Sequence, residues 1–260
     1  MPIDTNILVS LHGNRIGLNK NGDLIVDGKL VRSSGANPMQ QVVFSDDFLG
    51  DALDGRYNFQ EGSDSATSAF AITTGENGRA IITTGDSATV TMAGNGAQVD
   101  LGALQFYADN GGLAFETILK LDAITAVALF VGFTDQIAAL EMPWGLSVVT
   151  YTSNQSDGCG FLFDTAATTD TIRCVGVKGN TDGTPVDTGI AFVADTDMKL
   201  RVEVGADETA KFYINGTLVG TIASALTKTV ALTPVIASYS SEAVSKIVNL
   251  DTFDCRSDRG

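Results

Sequence analysis

Residues 198–204, Met-Lys-Leu-Arg-Val-Glu-Val, alternate apolar and charged side chains without a break. A period of two puts Met198, Leu200, Val202 and Val204 on one face and Lys199, Arg201 and Glu203 on the other, the signature of a strand with one side buried. Residues 211–214 and 217–222 follow as two further apolar-rich runs joined by Asn215-Gly216. Asn-Gly tolerates the positive φ angles of a two-residue hairpin, so this stretch predicts three consecutive antiparallel strands with Leu200, Val202, Val204, Phe212 and Ile214 buried.

The same logic extends over most of the chain. Leu113, Phe115, Thr117, Leu119 and Leu121 share one face of a predicted strand whose other face is mixed. Residues 126–133 are apolar throughout, which predicts a central strand covered on both sides. Residues 160–163 and 171–177 form another expected pair, and a closing strand passes through Ile247, Val248, Leu250 and Phe253. Only residues 136–140 read as a short helix or turn. No fixed repeat is present, so the expectation is an all-β chain of two packed sheets between about residues 42 and 255, with its first and last strands adjacent.

Residues 1–41 read as an appendage to a body spanning 42–260. Short apolar runs at 14–18, 23–26 and 29–32 are separated by Asn21-Gly22 and Asp27-Gly28, which predicts a small β-meander ending in a Ser/Gly/Asn/Pro linker. A meander of this size buries too little to stand alone. Ile7, Leu11, Ile16, Leu18, Leu24 and Val26 are therefore the expected interaction residues, facing the body, a sister subunit or a larger partner.

Composition narrows the function. Only 18% of residues are charged and 28 are Gly, a turn-rich β profile. The net charge of −15 repels phosphate backbones, so no nucleic-acid partner is expected. No apolar run reaches the length of a membrane span, and the N-terminus lacks the basic and apolar regions of a secretion signal, so synthesis in the cytoplasm is expected. Three cysteines without metal-ligand spacing argue against a disulfide framework; Cys159 and Cys174 can face each other across a hairpin or lie buried as free thiols.

The late segment Lys-Leu-Arg-Val-Glu-Val (199–204) with Ala-Lys-Phe-Tyr-Ile-Asn-Gly-Thr-Leu-Val-Gly (210–220) resembles the hairpin of laminin G-like and concanavalin A-like jelly rolls. The opening at residues 44–57, with Tyr57 where a Trp is common, is similar to their first strand, and residues 247–254 to their last. The resemblance implies a jelly-roll β-sandwich with the N-terminal meander as an arm. The chain as a whole also resembles structural proteins of tailed phages. That likeness implies a virion component made in the host cytoplasm: a capsid decoration protein, forming a homotrimer with sister subunits and binding the major capsid protein on the outer capsid surface. A tail-fibre or host-glycan-binding module is the alternative.

Catalytic groups are scarce. Laminarinase-like relatives of this fold carry Glu-x-Asp-x-x-Glu on one strand, and that pattern does not occur here. Retaining glycoside hydrolysis needs two carboxyls ~5 Å apart. Glu116 and Glu203 read instead as single carboxylates on amphipathic strands. The sole histidine, His12, lies in the arm, which leaves no base for a nucleophilic triad. No catalytic residue and no cofactor is expected. Calcium is the one metal considered: Asp46 and Asp47 near the first strand and Asp251 on the last are candidate ligands, with Asp51, Asp54 and Asp254 nearby. Trp144, in Glu-Met-Pro-Trp-Gly, is the candidate glycan contact, or else packs on the edge of its own sandwich.

Overall fold

The structure, a computed structural model, describes residues 41–73, 78–147 and 150–259, together with the backbone of four strands in the first forty residues. The chain divides into two compact units, residues 1–42 with 258–260 and residues 43–257.

In the first unit, β1 (Asn6–Leu11), β2 (Asn14–Leu18), β3 (Leu24–Val26) and β4 (Lys29–Arg32) form one antiparallel sheet in chain order. Register aligns Val9 with Ile16 and Ile16 with Val26, so three apolar positions occupy one row. The strands β1 and β4 are its two edges.

The second unit contains two large antiparallel sheets. Sheet I runs in space as β20 (Thr217–Ile222), β19 (Ala210–Ile214), β18 (Met198–Val204), β10 (Leu113–Leu121), β22 (Ile247–Asp258), β8 (Arg79–Thr83) and β7 (Ala69–Thr73). The first strand of the body, β5 (Gln41–Asp46), lies beside the last, β22, as the sequence led us to expect. Sheet II runs as β16 (Thr181–Asp182), β15 (Arg173–Lys178), β14 (Gly158–Asp164), β11 (Val127–Thr134), β21 (Thr233–Ser240), β9 (Gly96–Asp100) and β6 (Asn58–Glu61), with β17 (Val186–Asp187) also on β15.

The core between the sheets is aromatic. Phe115 and Phe253 of sheet I lie 4.7 Å apart between ring centroids, Phe115 meets Phe133 of sheet II at 6.1 Å, and Phe212 meets Phe161 at 5.4 Å. Leu200, Val202, Val204, Phe212 and Ile214 are all buried, because the period of two turns them inward together. Every residue of β11 is buried, as its unbroken apolar run requires. Residues 136–140 form bends without a helix, and the helix among the described residues is the single turn α1 (Met92–Asn95), capped by Thr91. The cysteines are buried and free. Register sets Cys159 opposite Gly176 and Cys174 opposite Phe161, so the two thiols are offset and not face to face. Burial pushes the Cys174 thiol up to about 12.

Candidate functional site

A sandwich has two outer faces on which a ligand can sit, and here they differ sharply. On sheet II the even-numbered residues of β11 turn away from the inter-sheet core, and that outward face is apolar: Ala128, Phe130, Leu162, Val175, Val177, Val235 and Ala237. Bare apolar surface of this extent needs a cover. A hairpin of β12 (Trp144–Ser147) and β13 (Thr150–Ser153) supplies it, laying Met142 and Trp144 onto the face with Tyr151 packed alongside.

Trp144 stacks on Phe130 at 5.4 Å between centroids and 25° between planes, and only 2% of it is exposed. The sequence-based expectation of Trp144 as a glycan contact is therefore corrected: its ring is spent on Phe130 and presents no free platform. Asn154 fixes the return of the hairpin, its Nδ2 donating to the Met142 carbonyl at 2.8 Å and its backbone N–H to the Pro143 carbonyl at 2.9 Å. Gly160 makes the stacking possible, since a Cβ there would sit 2.5 Å from the Phe130 ring.

Carboxylates near this face are buried and structural. Asp100 is fully buried and accepts from the Asn58 and Gln98 amides and from the Gly102 N–H at 2.7 Å. Asp164 accepts from the Ala166 N–H at 2.8 Å, and burial holds its carboxyl above the usual range.

The outer face of sheet I is open and charged. Register places Arg256, Ala114, Glu203 and Lys211 in one row and Asp254, Glu116, Arg201 and Tyr213 in the next. Glu116 pairs with Lys199 at 2.6 Å and with Arg201 at 3.9 Å, and Arg201 also bonds Glu203. The Arg201 guanidinium lies over the Tyr213 ring, 5.1 Å from its centroid. Because Ala114 is small, the surface dips there: a depression of about 250 Å³ shares Ala114 and Arg256 with one neighbour of about 260 Å³, and Glu116 and Arg201 with another of about 340 Å³. Glu116 and Asp254 stand directly opposite each other on β10 and β22, yet Glu116 is held by cations and Asp254 by the Ser45 hydroxyl.

The calcium candidates are not brought together. Asp46 accepts from the Phe48 N–H at 2.8 Å, Asp47 from the Leu49 N–H at 3.3 Å, and Asp251 faces the Arg79 guanidinium at 3.6 Å. Asp54 is tied to Arg56, which holds its carboxyl down at about 2. Among the described residues no group of three or more His, Cys, Asp or Glu is arranged to hold a metal ion. Of the arm residues, Ile7, Leu11, Ile16, Leu18, Leu24 and Val26 all fall on its strands, while their side chains and His12 lie outside the described residues. Sequence reasoning missed the trough around Arg201, Tyr213 and Arg256. Its members are far apart in the chain, and only the strand register reveals them as neighbours.

No family model and no curated protein matches the sequence. Solved structures do match by shape. A β-glucanase from Bacillus licheniformis superimposes with a TM-score of 0.53 at 11% identity, over 82% of this chain and 97% of its own. Peanut lectin gives 0.52 at 15% identity, over 83% and 97%. The body is a concanavalin A-like jelly roll. A further match, from work on endo-acting O-glycanases of the human gut microbiota, reaches 0.57 at 11% identity over 84% and 99%. At these identities the likeness establishes the jelly-roll architecture, which lectins and glucanases share, and activity has to be argued from the chain's own residues.

Proposed function

We propose that this jelly roll is a non-enzymatic structural protein of a tailed-phage virion, a head decoration protein that binds the outer capsid surface. The observation that carries the non-enzymatic half is the covered face of sheet II: the hairpin bearing Trp144 fills it with apolar side chains. On the other face each paired carboxylate is already neutralised by Lys199 or Arg201 or bonded to Ser45. Retaining hydrolysis needs two carboxyls about 5 Å apart and free to act on the substrate. Here Glu116 is held by Lys199 and Arg201, and Asp254 opposite it is bonded to the Ser45 hydroxyl.

The virion half rests on the resemblance to phage structural proteins, on a net charge of −15 that keeps densely arrayed copies soluble, and on the arm, a four-stranded sheet in a compact unit of its own. In this reading the arm contacts the major capsid protein and sister subunits, and the protein is a homotrimer synthesised in the host cytoplasm. The test is co-sedimentation with particles lacking the protein. The full chain is expected to bind, and a chain beginning at Val42 to fold but stay in the supernatant. Equal binding by both overturns the role of the arm; no binding by either overturns the virion reading.

The open trough on sheet I favours a second reading, glycan binding. Arg201 over Tyr213, with Glu116, Lys199 and Asn215 around it, offers donors, acceptors and a ring at one depression. Binding on a glycan array that Tyr213→Ala abolishes would select this reading.

A further inference from the structure

A sheet edge with unpaired backbone groups invites another strand, and proteins blunt such edges with charge, proline, bulges or very short strands. Among the described residues the end strands of the two large sheets are blunted in this way, with one exception. The strand β20 carries a bulge where register shifts between Phe212 and Tyr213. On sheet II, β16 and β17 are two residues long, and β6 ends in Glu61. The exception is β7, Ala-Phe-Ala-Ile-Thr: five residues in continuous register with β8, without charge, proline or bulge.

Hydrogen bonding shows which of its groups are free. Thr84 donates its N–H to the Lys246 carbonyl at 3.0 Å, and Asp122 donates to the Ile247 carbonyl at 3.1 Å. Antiparallel partners alternate along a ladder, so Thr83 and Ile81 turn their peptide groups toward β7, where they meet Ala69 and Ala71. The intervening residues of β7, Phe70 and Ile72, direct their N–H and C=O groups outward, and no hydrogen bond among the described residues reaches them. Beside them Ser68 is 8% exposed with a hydroxyl that has no partner among the described residues, and Ala71 is exposed.

The chain holds a matching strand. The edge strand β1 of the arm, Asn-Ile-Leu-Val-Ser-Leu, has six residues and no charge, whereas β4 on the opposite edge carries Lys29 and Arg32. We propose that the free edge of β7 accepts β1 of a second copy of this chain, extending sheet I by one strand. Two copies at −15 each repel, and these uncharged edges are where they can approach without opposing charge. Donor and acceptor are different surfaces, so the contact is heterologous and repeats around an axis until it closes into a ring. Closure at three rests on the homotrimer reading above; the strand addition does not.

The experiment uses the full chain and its Ala71→Lys variant, which sets a charge beside the edge at an exposed position. Sedimentation gives the oligomeric state, and residue-resolved hydrogen exchange reads the strand. In assembled wild type, the amides of Phe70 and Ile72 are expected to exchange slower by roughly an order of magnitude or more than after dilution to monomer. Ala69 and Thr73 should be equally protected in both states. The variant should be folded and monomeric, with fast exchange at 70 and 72. A wild type that is monomeric at every concentration overturns the proposal. So does an assembled wild type whose 70 and 72 amides are unprotected, or a folded variant that still assembles. Assembly with this protection pattern but no particle binding supports the strand exchange and overturns the virion reading instead.

Discussion

Replacing Trp144 with Ala tests whether its ring is packing or platform. The side chain is 2% exposed and stacked on Phe130, above the close passage at Gly160. A buried Trp covers roughly 150–250 Å², and truncating such a residue to Ala costs about 3–5 kcal/mol. The unit from residue 43 to 257 spans about 215 residues. At about 2.1 cal/mol/K per residue its unfolding entropy is about 0.45 kcal/mol/K, which converts the loss into a fall in Tm of roughly 7–11 °C. Differential scanning calorimetry measures this directly. Trp144 is also the only tryptophan, so its fluorescence reports this one site: emission should be blue-shifted and poorly quenched by iodide in the folded protein. Trp144→Phe should recover most of the stability because it keeps a stacked ring. A Tm unchanged by Trp144→Ala, or a readily quenched emission, would refute the buried hairpin and return Trp144 to the list of ligand contacts.

Val202→Asp should unfold the body or lower its stability by several kcal/mol, roughly 3 or more, since it buries an unpaired charge between the sheets; a soluble variant with the wild-type Tm would show the face assignment to be inverted. Glu116→Gln and Glu203→Gln should each change stability by about 1 kcal/mol or less, being part-exposed ion pairs, and neither should alter reducing-sugar release from a β-glucan, which is expected to be absent in wild type as well. Asp164→Asn should raise Tm at neutral pH. Burial raises the Asp164 pKa on folding, so stability is lost as pH climbs from the unfolded pKa to the folded one and is level above that. The gap between variant and wild type should therefore vanish below about pH 4, the unfolded value, and widen above it; a gap that widens on acidification would contradict the assignment.

The fold was legible in the sequence wherever one side of a strand is solvated. Residues 198–204 declare their faces because Lys199, Arg201 and Glu203 cannot be buried unpaired while Leu200 and Val202 must be. The doubly covered strand β11 was legible as well, because an unbroken apolar run has no solvated side. What covers its second face was not. The hairpin that closes over Phe130 starts at a Met-Pro-Trp-Gly stretch with no period of two, and its docking depends on Gly160, whose role is to be absent as a side chain. A small residue that admits a ring leaves no mark in a hydrophobicity pattern. The calcium candidates misled for the opposite reason. Clustered aspartates look alike in sequence whether they converge on an ion or turn back onto their own backbone, as Asp46 and Asp47 do in bonding Phe48 and Leu49 two residues on.

Charge is unevenly shared between the surfaces, and this bears on how copies of the chain can meet. The outward face of sheet I carries Arg79, Lys120, Lys199, Arg201, Lys211 and Arg256 against Glu116, Glu203, Asp251, Asp254 and Asp258, six basic residues to five acidic, a surplus of one. With a total of −15, the remainder of the chain therefore stands at −16. Any two copies brought together at random oppose acidic surface to acidic surface, which raises the energy of most encounters. Two kinds of approach escape that penalty: the face of sheet I against an acidic flank, and the uncharged edge of β7 against the uncharged strand β1. Salt separates them. Screening at high ionic strength weakens the first, whose attraction is Coulombic, and leaves the second intact or stronger, because backbone hydrogen bonds and apolar contacts remain while the repulsion between bodies fades. An assembly that tightens as salt rises points to the strand edge; one that dissociates points to the charged face.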